Sequence, residues 1–382
     1  MKITLKIMFI LFCILFVYSC TNDEDKYTVT FQDYDGSILK VEKVALGESA
    51  TPPSDPIREN YTFSGWDIPF TNVTETLTVT ATYVSSYEYI IENNSVTITG
   101  YKDKSVTQLT IPSVYEGKDV TGISSYAFSD LVKLADITIP SSVTTIGNAA
   151  FSGCRSLTSI VIPESVTTIG SAAFYRCSGL TSIVIPKSAT TIWNGAFIGC
   201  SGLTSIVIPE SVTTIGEGAF GDCSELKSIV IPDSVTTIGN YAFSGCSGLT
   251  SIVIPESVTT IGNSAFSGCS GLTSVEIPNT VQSIEVYTFE NCSGLKSIVI
   301  PESVTTISHL AFVGCSGLKS IVIPKLVQSI GSNAFSGCSN LVIFTDLQSK
   351  PNGWSNEWNC KRPVYWEGEW KFDESGNPIP LI

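Results

Sequence analysis

His309 is the single histidine of the chain, so any serine–histidine or cysteine–histidine catalytic pair would rest on it alone. It sits in a column of a repeated segment whose other copies carry no histidine. Cysteines are more plentiful. They fall at 154, 177, 200, 223, 246, 269, 292, 315 and 338, always at the same interval. A metal site needs ligands clustered as in C-x2-C, and no such cluster occurs. An odd ladder cannot pair completely into disulfides, and side chains stacked in register point the same way. The ladder therefore reads as reduced, buried, small hydrophobes. There is no phosphate loop and no H-E-x-x-H. The carboxylates are repeated or scattered, where glycoside hydrolysis would need a pair in one pocket. The sequence thus implies no cofactor and no resident metal, and points away from an enzyme.

What remains is architecture. Of 382 residues, 43% are hydrophobic and only 15% charged, enough for a sizeable core. Lys and Arg number 21 against 35 Asp and Glu, a net charge of −14. An acidic surface repels phosphate backbones, which argues against nucleic-acid partners.

The 23-residue period of the cysteines extends to Phe128, Phe151, Phe174 and onward to Phe335, and to a proline series from Pro140 to Pro324. A strict period of this length means a solenoid of stacked coils. Each unit carries L-x-x-I-x-I, as in Leu157-x-x-Ile160-x-Ile162, the spacing of a repeat strand. Proline after the last Ile stops the strand, because it offers no N–H to the ladder. Gly170 and its equivalents are expected to give a sharp corner. Gly-x-x-Ala-Phe then reads as one short helical or 3₁₀ turn that plugs Phe into the core. The first unit departs, with Leu131 where Cys is expected, and Tyr87 to Thr99 reads as an N-terminal cap. The phrase IPxSVTxIGxxAFxGCSxL resembles the BspA-like, type-5 leucine-rich repeat from Leu109 to Phe344. That resemblance implies surface display, binding to host or microbial proteins, and no enzymatic activity.

Ahead of the solenoid, residues 27–84 alternate at Thr28–Phe31 and Leu77–Tyr83, as half-buried strands do. Asp33-x-Asp35-Gly36 reads as a hairpin turn, since its Gly comes too early for a calcium loop. VTFxDxDG, VxxGxxATxP, YTFxGWD and NVTxxxTVTAxY together resemble the Listeria–Bacteroides, internalin B-repeat type module. The resemblance implies a small β-grasp-like spacer or interaction domain. The fold expected is therefore mainly β: a leucine-rich-repeat solenoid of about ten 23-residue repeats behind a β-grasp-like domain.

At the start, Lys2 and Lys6 precede an apolar run from Ile7 to Tyr18, then Ser19-Cys20, the pattern of a secretory leader too short to span a bilayer. Val17-Tyr18-Ser19-Cys20 resembles a lipobox, which implies acylation of Cys20 and a membrane link through lipid only. The acidic run Asp23-Glu24-Asp25 behind it resembles the surface-export signal of Bacteroidota lipoproteins, implying an outer-membrane, cell-surface location. The organisation expected is leader 1–19, acylated Cys and tether 20–26, β module 27–84, solenoid 85–344 and an aromatic C-terminal cap 345–382.

Binding candidates lie where the repeat faces outward or varies. The outward strand column reads Val161, Val184, Val207, Val230, Val253, Val299 and Val322, broken by Glu276 and flanked by serines. A long exposed apolar stripe marks a contact surface, although β-branched residues also serve strand stability alone. Trp193, Tyr241 and Tyr287 stand out on a Ser/Gly background as candidate aromatic anchors. Three functions follow: a protein-binding or adhesion lipoprotein, a glycan-binding or nutrient-capture lipoprotein, or a surface coat with no specific ligand.

Overall fold

The computed structural model describes residues 26–381. The leader, the lipobox and Cys20 lie outside the described residues. The chain forms two compact units that divide between Tyr87 and Glu88.

The first unit is a four-stranded sheet of β1 (Lys26–Gln32), β2 (Ile38–Ala45), β3 (Tyr61–Trp66) and β4 (Leu77–Ser85) in the order β2-β1-β4-β3. β1 and β4 run parallel at the centre, and β2 and β3 flank them antiparallel. Alternation puts Val29, Phe31 and Val79 on one face, where they form a core with Val44, Ala50 and Val73. The ring edges of Trp66 and Phe70 close on Phe31 at 5.0 and 5.3 Å. In the YTFxGWD phrase, Gly65 has φ +127° and sits at a register shift between Phe63 and Gly65. The glycine thus permits a bulge that re-aims Trp66 inward. Asp33 and Asp35 spend their carboxylates on turn amides, Asp33 accepting from Tyr34 N and Asp35 from Ser37 N, as the hairpin reading requires. Arg58 stacks on Tyr61 at 3.7 Å and Tyr34 at 4.0 Å, pinning the proline-rich connection between β2 and β3.

The second unit is a solenoid of about twelve turns. β5 (Tyr87–Glu92) and β6 (Ser95–Tyr101) close its first end, β6 pairing with the strand Lys118–Ile123. Each coil then contributes two short strands. In the first row Ser-Ile-Val pairs in parallel with its copy in the next coil, as Ser228↔Ser251, Ile229↔Ile252 and Val230↔Val253. In the second row Thr-Ile does the same, as Thr237↔Thr260 and Ile238↔Ile261. Period-2 geometry buries the Ile and exposes the Ser and Val of the first row. Phe128 to Phe335 form one column of parallel rings with centroids 5.4 to 5.6 Å apart, every ring fully buried or nearly so.

The corner differs from the helical or 3₁₀ turn expected from the sequence. Among the described residues it contains no helix or 3₁₀ turn. Backbone bonds there alternate instead, Ser244 N donating to Tyr241 O within the coil while Phe243 N donates to Ala265 O in the next. The neighbouring coil competes for every second amide, so a helical turn cannot close. The corner glycine is not left-handed. Positive φ falls two residues later, at Ala149, Ala172, Tyr241 and Tyr287 among others, and again beside the cysteine. The glycine is needed because a Cβ at Gly239 would stand 2.7 Å from the Gly216 carbonyl carbon.

The far end is closed by aromatics. Trp354 is buried, extends the second row through a bridge to Ile330, and donates Nε1 to Val327 O at 3.1 Å. Trp358 meets Phe335 edge-on and Trp354 at 4.6 Å, so it terminates the ring column. Removing one ring leaves a cavity that identical neighbours cannot fill without breaking register. Phe220→Ala is therefore expected to cost about 3–5 kcal/mol, read as a lowered urea midpoint.

Candidate binding face

The first strand row positions the valine column. Because the strands pair in register, Val161, Val184, Val207, Val230, Val253 and Val299 stand one above another, 59 to 77% exposed. Serines line one side of the stripe and are exposed as well. Glu276 interrupts it, pairing in register between Val253 and Val299. Val322 shares the register but is half-buried. The terminal hairpin of Trp370–Phe372 and Pro378–Pro380 stands nearby, and a recess of about 300 Å3 separates Phe372 and Pro378 from Val299 and Val322. The stripe thus ends against a wall of the same unit.

Beyond the strand, the column after Pro is exposed: Glu164, Lys187, Glu210, Asp233, Glu256, Asn279, Glu302 and Lys325. Two of its carboxylates bind the next coil, Glu164 accepting from Lys187 N at 2.9 Å and Glu256 from Asn279 N at 3.0 Å. These acids tie coils together at an edge, and among the described residues no group of three metal-ligating side chains forms.

The aromatic candidates do not converge. Trp193 is 41% exposed and occupies a corner-glycine position. Tyr241 is 50% exposed and, like Tyr287, holds the left-handed position before Ala-Phe or Thr-Phe. Tyr126 stands in the same column at 65% exposure, an anchor of the same kind that the sequence reading passes over. Its register, Tyr before Ala127-Phe128 as Tyr241 precedes Ala242-Phe243, is the signal that could have found it. His309 lies edge-on to Tyr287 at 6.4 Å, and its Nδ1 is 2.8 Å from Ser332 Oγ on an exposed corner. No carboxylate completes a triad with this pair among the described residues.

The cysteine ladder is satisfied internally. Nine thiols are free and buried, and each donates to the Phe carbonyl one coil back, as Cys246 Sγ to Phe220 O at 3.1 Å. Cysteine therefore serves as a small apolar filler carrying one weak donor, a second bond to a Phe carbonyl that already accepts a backbone amide, as Phe220 O does from Cys223 N. Leu131 replaces it in the first coil, where the strand register steps by 28 residues instead of 23, as in Asp136↔Gln108, so the position one coil before Phe128 is Gly100 in β6 and not a Phe.

A 23-residue coil with an outward strand row, a proline stop and a buried Phe–Cys corner matches the model of the BspA type leucine-rich repeat region in 6 copies, over residues 94–227 and 214–342. The chain belongs to the BspA-type leucine-rich-repeat family. Residues 27–85 match the Listeria-Bacteroides repeat domain. Among solved structures, the Treponema pallidum leucine-rich-repeat protein is 35% identical, covering 49% of this chain and 88% of its own, with a TM-score of 0.47. A leucine-rich-repeat protein from Bacteroides ovatus is 25% identical over 74% of this chain and 98% of its own, TM-score 0.42. A protein described as a leucine rich cell surface protein, from Faecalibacterium prausnitzii, is 28% identical over 72% and 96%, TM-score 0.37. No curated protein matches.

In this BspA-type ladder, burial opposes thiolate formation and pushes the Cys154 thiol from 9.0 up to about 12. Cys200, Cys246 and Cys292 are raised for the same leading reason. A thiol whose folded pKa exceeds the unfolded value keeps its proton longer in the fold. Its contribution is complete below about pH 9 and is lost as pH rises toward 12. Stability is thus expected to hold to pH 8 and then decline, and a thiol reagent at pH 8 should label the partly exposed Cys360 while sparing the ladder, as peptide mass spectrometry would show.

Proposed function

We propose that this chain is a surface-anchored lipoprotein that binds a protein partner, host or microbial, through the valine stripe of its solenoid. The observation that carries the reading is the exposed, in-register column from Val161 to Val299, broken once by Glu276. Strand stability alone asks for β-branched residues, and threonine would meet that demand in water, as it does in the second row. Valine adds apolar area that only a partner can bury, about 25 cal/mol per Å2. The stripe crosses rungs roughly 4.8 Å apart, so a seven-rung contact spans about 30 Å, the scale of a protein surface. The 27–85 module then serves as a spacer between anchor and solenoid. The leader and Cys20 support anchoring in the outer membrane, facing outward.

The test is binding of the purified chain to a panel of extracellular-matrix proteins, mucin, microbial surface proteins and glycans. Saturable binding to a protein is expected. Val207→Asp with Val230→Asp should weaken it at least tenfold while the thermal midpoint stays within a few degrees; full retention of binding removes the stripe from the reading. Exposure of Trp193 and Tyr241 favours a second reading, glycan capture. It predicts sugar binding lost in Trp193→Ala and untouched by the valine substitutions.

Acylation has its own check. Cys20→Ser is expected to move the chain from the membrane fraction to the soluble one and to abolish incorporation of labelled palmitate.

A further inference from the structure

The residue that follows the second-row strand is glycine in most coils, among them Gly147, Gly170, Gly216, Gly239, Gly262 and Gly331. The preceding coil leaves no room there: a Cβ at Gly262 would stand 2.5 Å from the Asn240 nitrogen. Contact this close lets the glycine amide reach back. Gly239 N donates to Ile215 O at 2.8 Å and Gly262 N to Ile238 O at 2.9 Å. Serine is tolerated, since Ser308 N still donates to Ile284 O at 2.8 Å. Two coils carry something larger at this position, Trp193 and Glu285.

The second row is interrupted at these two coils. One sheet ends at Thr168–Ile169, a second runs from Thr191–Ile192 to Thr260–Ile261, and a third begins at Ser283–Ile284. Thr213, Thr236 and Thr259 each donate to the threonine one coil back, whereas among the described residues Thr190 to Thr167 and Gln282 to Thr259 do not. The ring column runs through both places but at its widest spacing. Phe174–Phe197 and Phe266–Phe289 are 5.6 Å apart, against 5.4 to 5.5 Å elsewhere. At the second interruption a notch of about 380 Å3 opens between Thr260 and Ser283. The first row is not cut there: it continues from Ser159 to Val299 through bridges at Val184, Val207 and Val230.

We infer that Trp193 and Glu285 are wedges that divide the second strand row into three blocks, and that the solenoid flexes at these two joints while the row bearing the valine stripe stays continuous. The bulky side chain holds the coils apart at one edge only. Splaying there pivots the coils about the first row and changes the curvature of the stripe without severing it. The open edges leave strand amides facing water, so local opening is easiest at these positions. The inference concerns the scaffold and stands whether or not the stripe binds a partner.

Hydrogen exchange read by mass spectrometry on the full chain tests it, with Trp193→Gly and Glu285→Gly made separately. In the unaltered chain, peptides covering 190–193 and 282–285 should exchange at least tenfold faster than the equivalent peptides at 213–216 and 236–239. Trp193→Gly should slow 190–193 about tenfold and leave 282–285 as it was, and Glu285→Gly should do the converse. Equal exchange across all four peptides in the unaltered chain overturns the inference. So does a glycine variant that slows no peptide, or that slows all of them alike. Should one variant not fold, the other and the unaltered chain decide the matter.

Discussion

Each coil of the solenoid packs against a copy of itself displaced by one repeat, and everything else follows from that constraint. Ile229 lies on Ile252, Thr237 on Thr260, Phe243 on Phe266. A buried side chain therefore has its own kind above and below it. A change of size in one coil misfits two neighbours, and a change of length slips every rung beyond it. Coil length and core identity are locked together. The same rule reaches the polar groups. Ser234 donates to Val212 O and Ser257 to Val235 O, while Cys246 and Cys269 reach Phe220 O and Phe243 O. In these coils one fixed Ser thus answers a Val carbonyl and one fixed Cys adds a second bond to a Phe carbonyl that already accepts a backbone amide.

This lock leaves freedom only outside the coil. The left-handed corner position holds Ala149, Tyr241, Ser264, Leu310 and Asn333 in different coils, although glycine would fit it without strain. Positive φ costs a non-glycine residue of order 1–2 kcal/mol, so the long cooperative stack holds these residues in place. The cost is bearable because the corner amides bond to the next coil irrespective of side chain. The position is thus a slot in which side chains can change while the backbone does not, and its bulkiest occupants are aromatics, Tyr126 and Tyr241 exposed and Tyr287 half-buried.

The valine stripe and the corner aromatics differ in kind. The stripe is a product of the repeat: once Ser-Ile-Val is written in one coil and stacked, its valines must align. The aromatics interrupt the repeat at single coils. A surface of the first type offers length and uniformity, and one of the second offers local identity. A protein-binding solenoid can use both, the stripe for area and the irregular residues for discrimination. Glu276, which breaks the stripe with a charge, belongs to the second type.

The sequence by itself determined the solenoid, its register, its buried and outward columns, and the family. All of these follow from periodicity, and in a stacked coil every position is a statement about its neighbours one repeat away. The β module was legible for a related reason, because its phrases alternate with strand period and end at turn residues. Tertiary structure decided what depends on competition between coils. The corner looked like a helical turn locally, but the next coil takes every second amide. Its glycine was expected at a sharp corner, but what requires it is room for the preceding backbone. Trp193 read as a candidate aromatic anchor and Glu285 drew no reading, because the close approach of two backbones that makes this position sensitive to a large side chain is visible only in the stack. Val322 belonged to the stripe by register and is half-covered because the chain beyond the last coil turns back beside it, a long-range event that no period records.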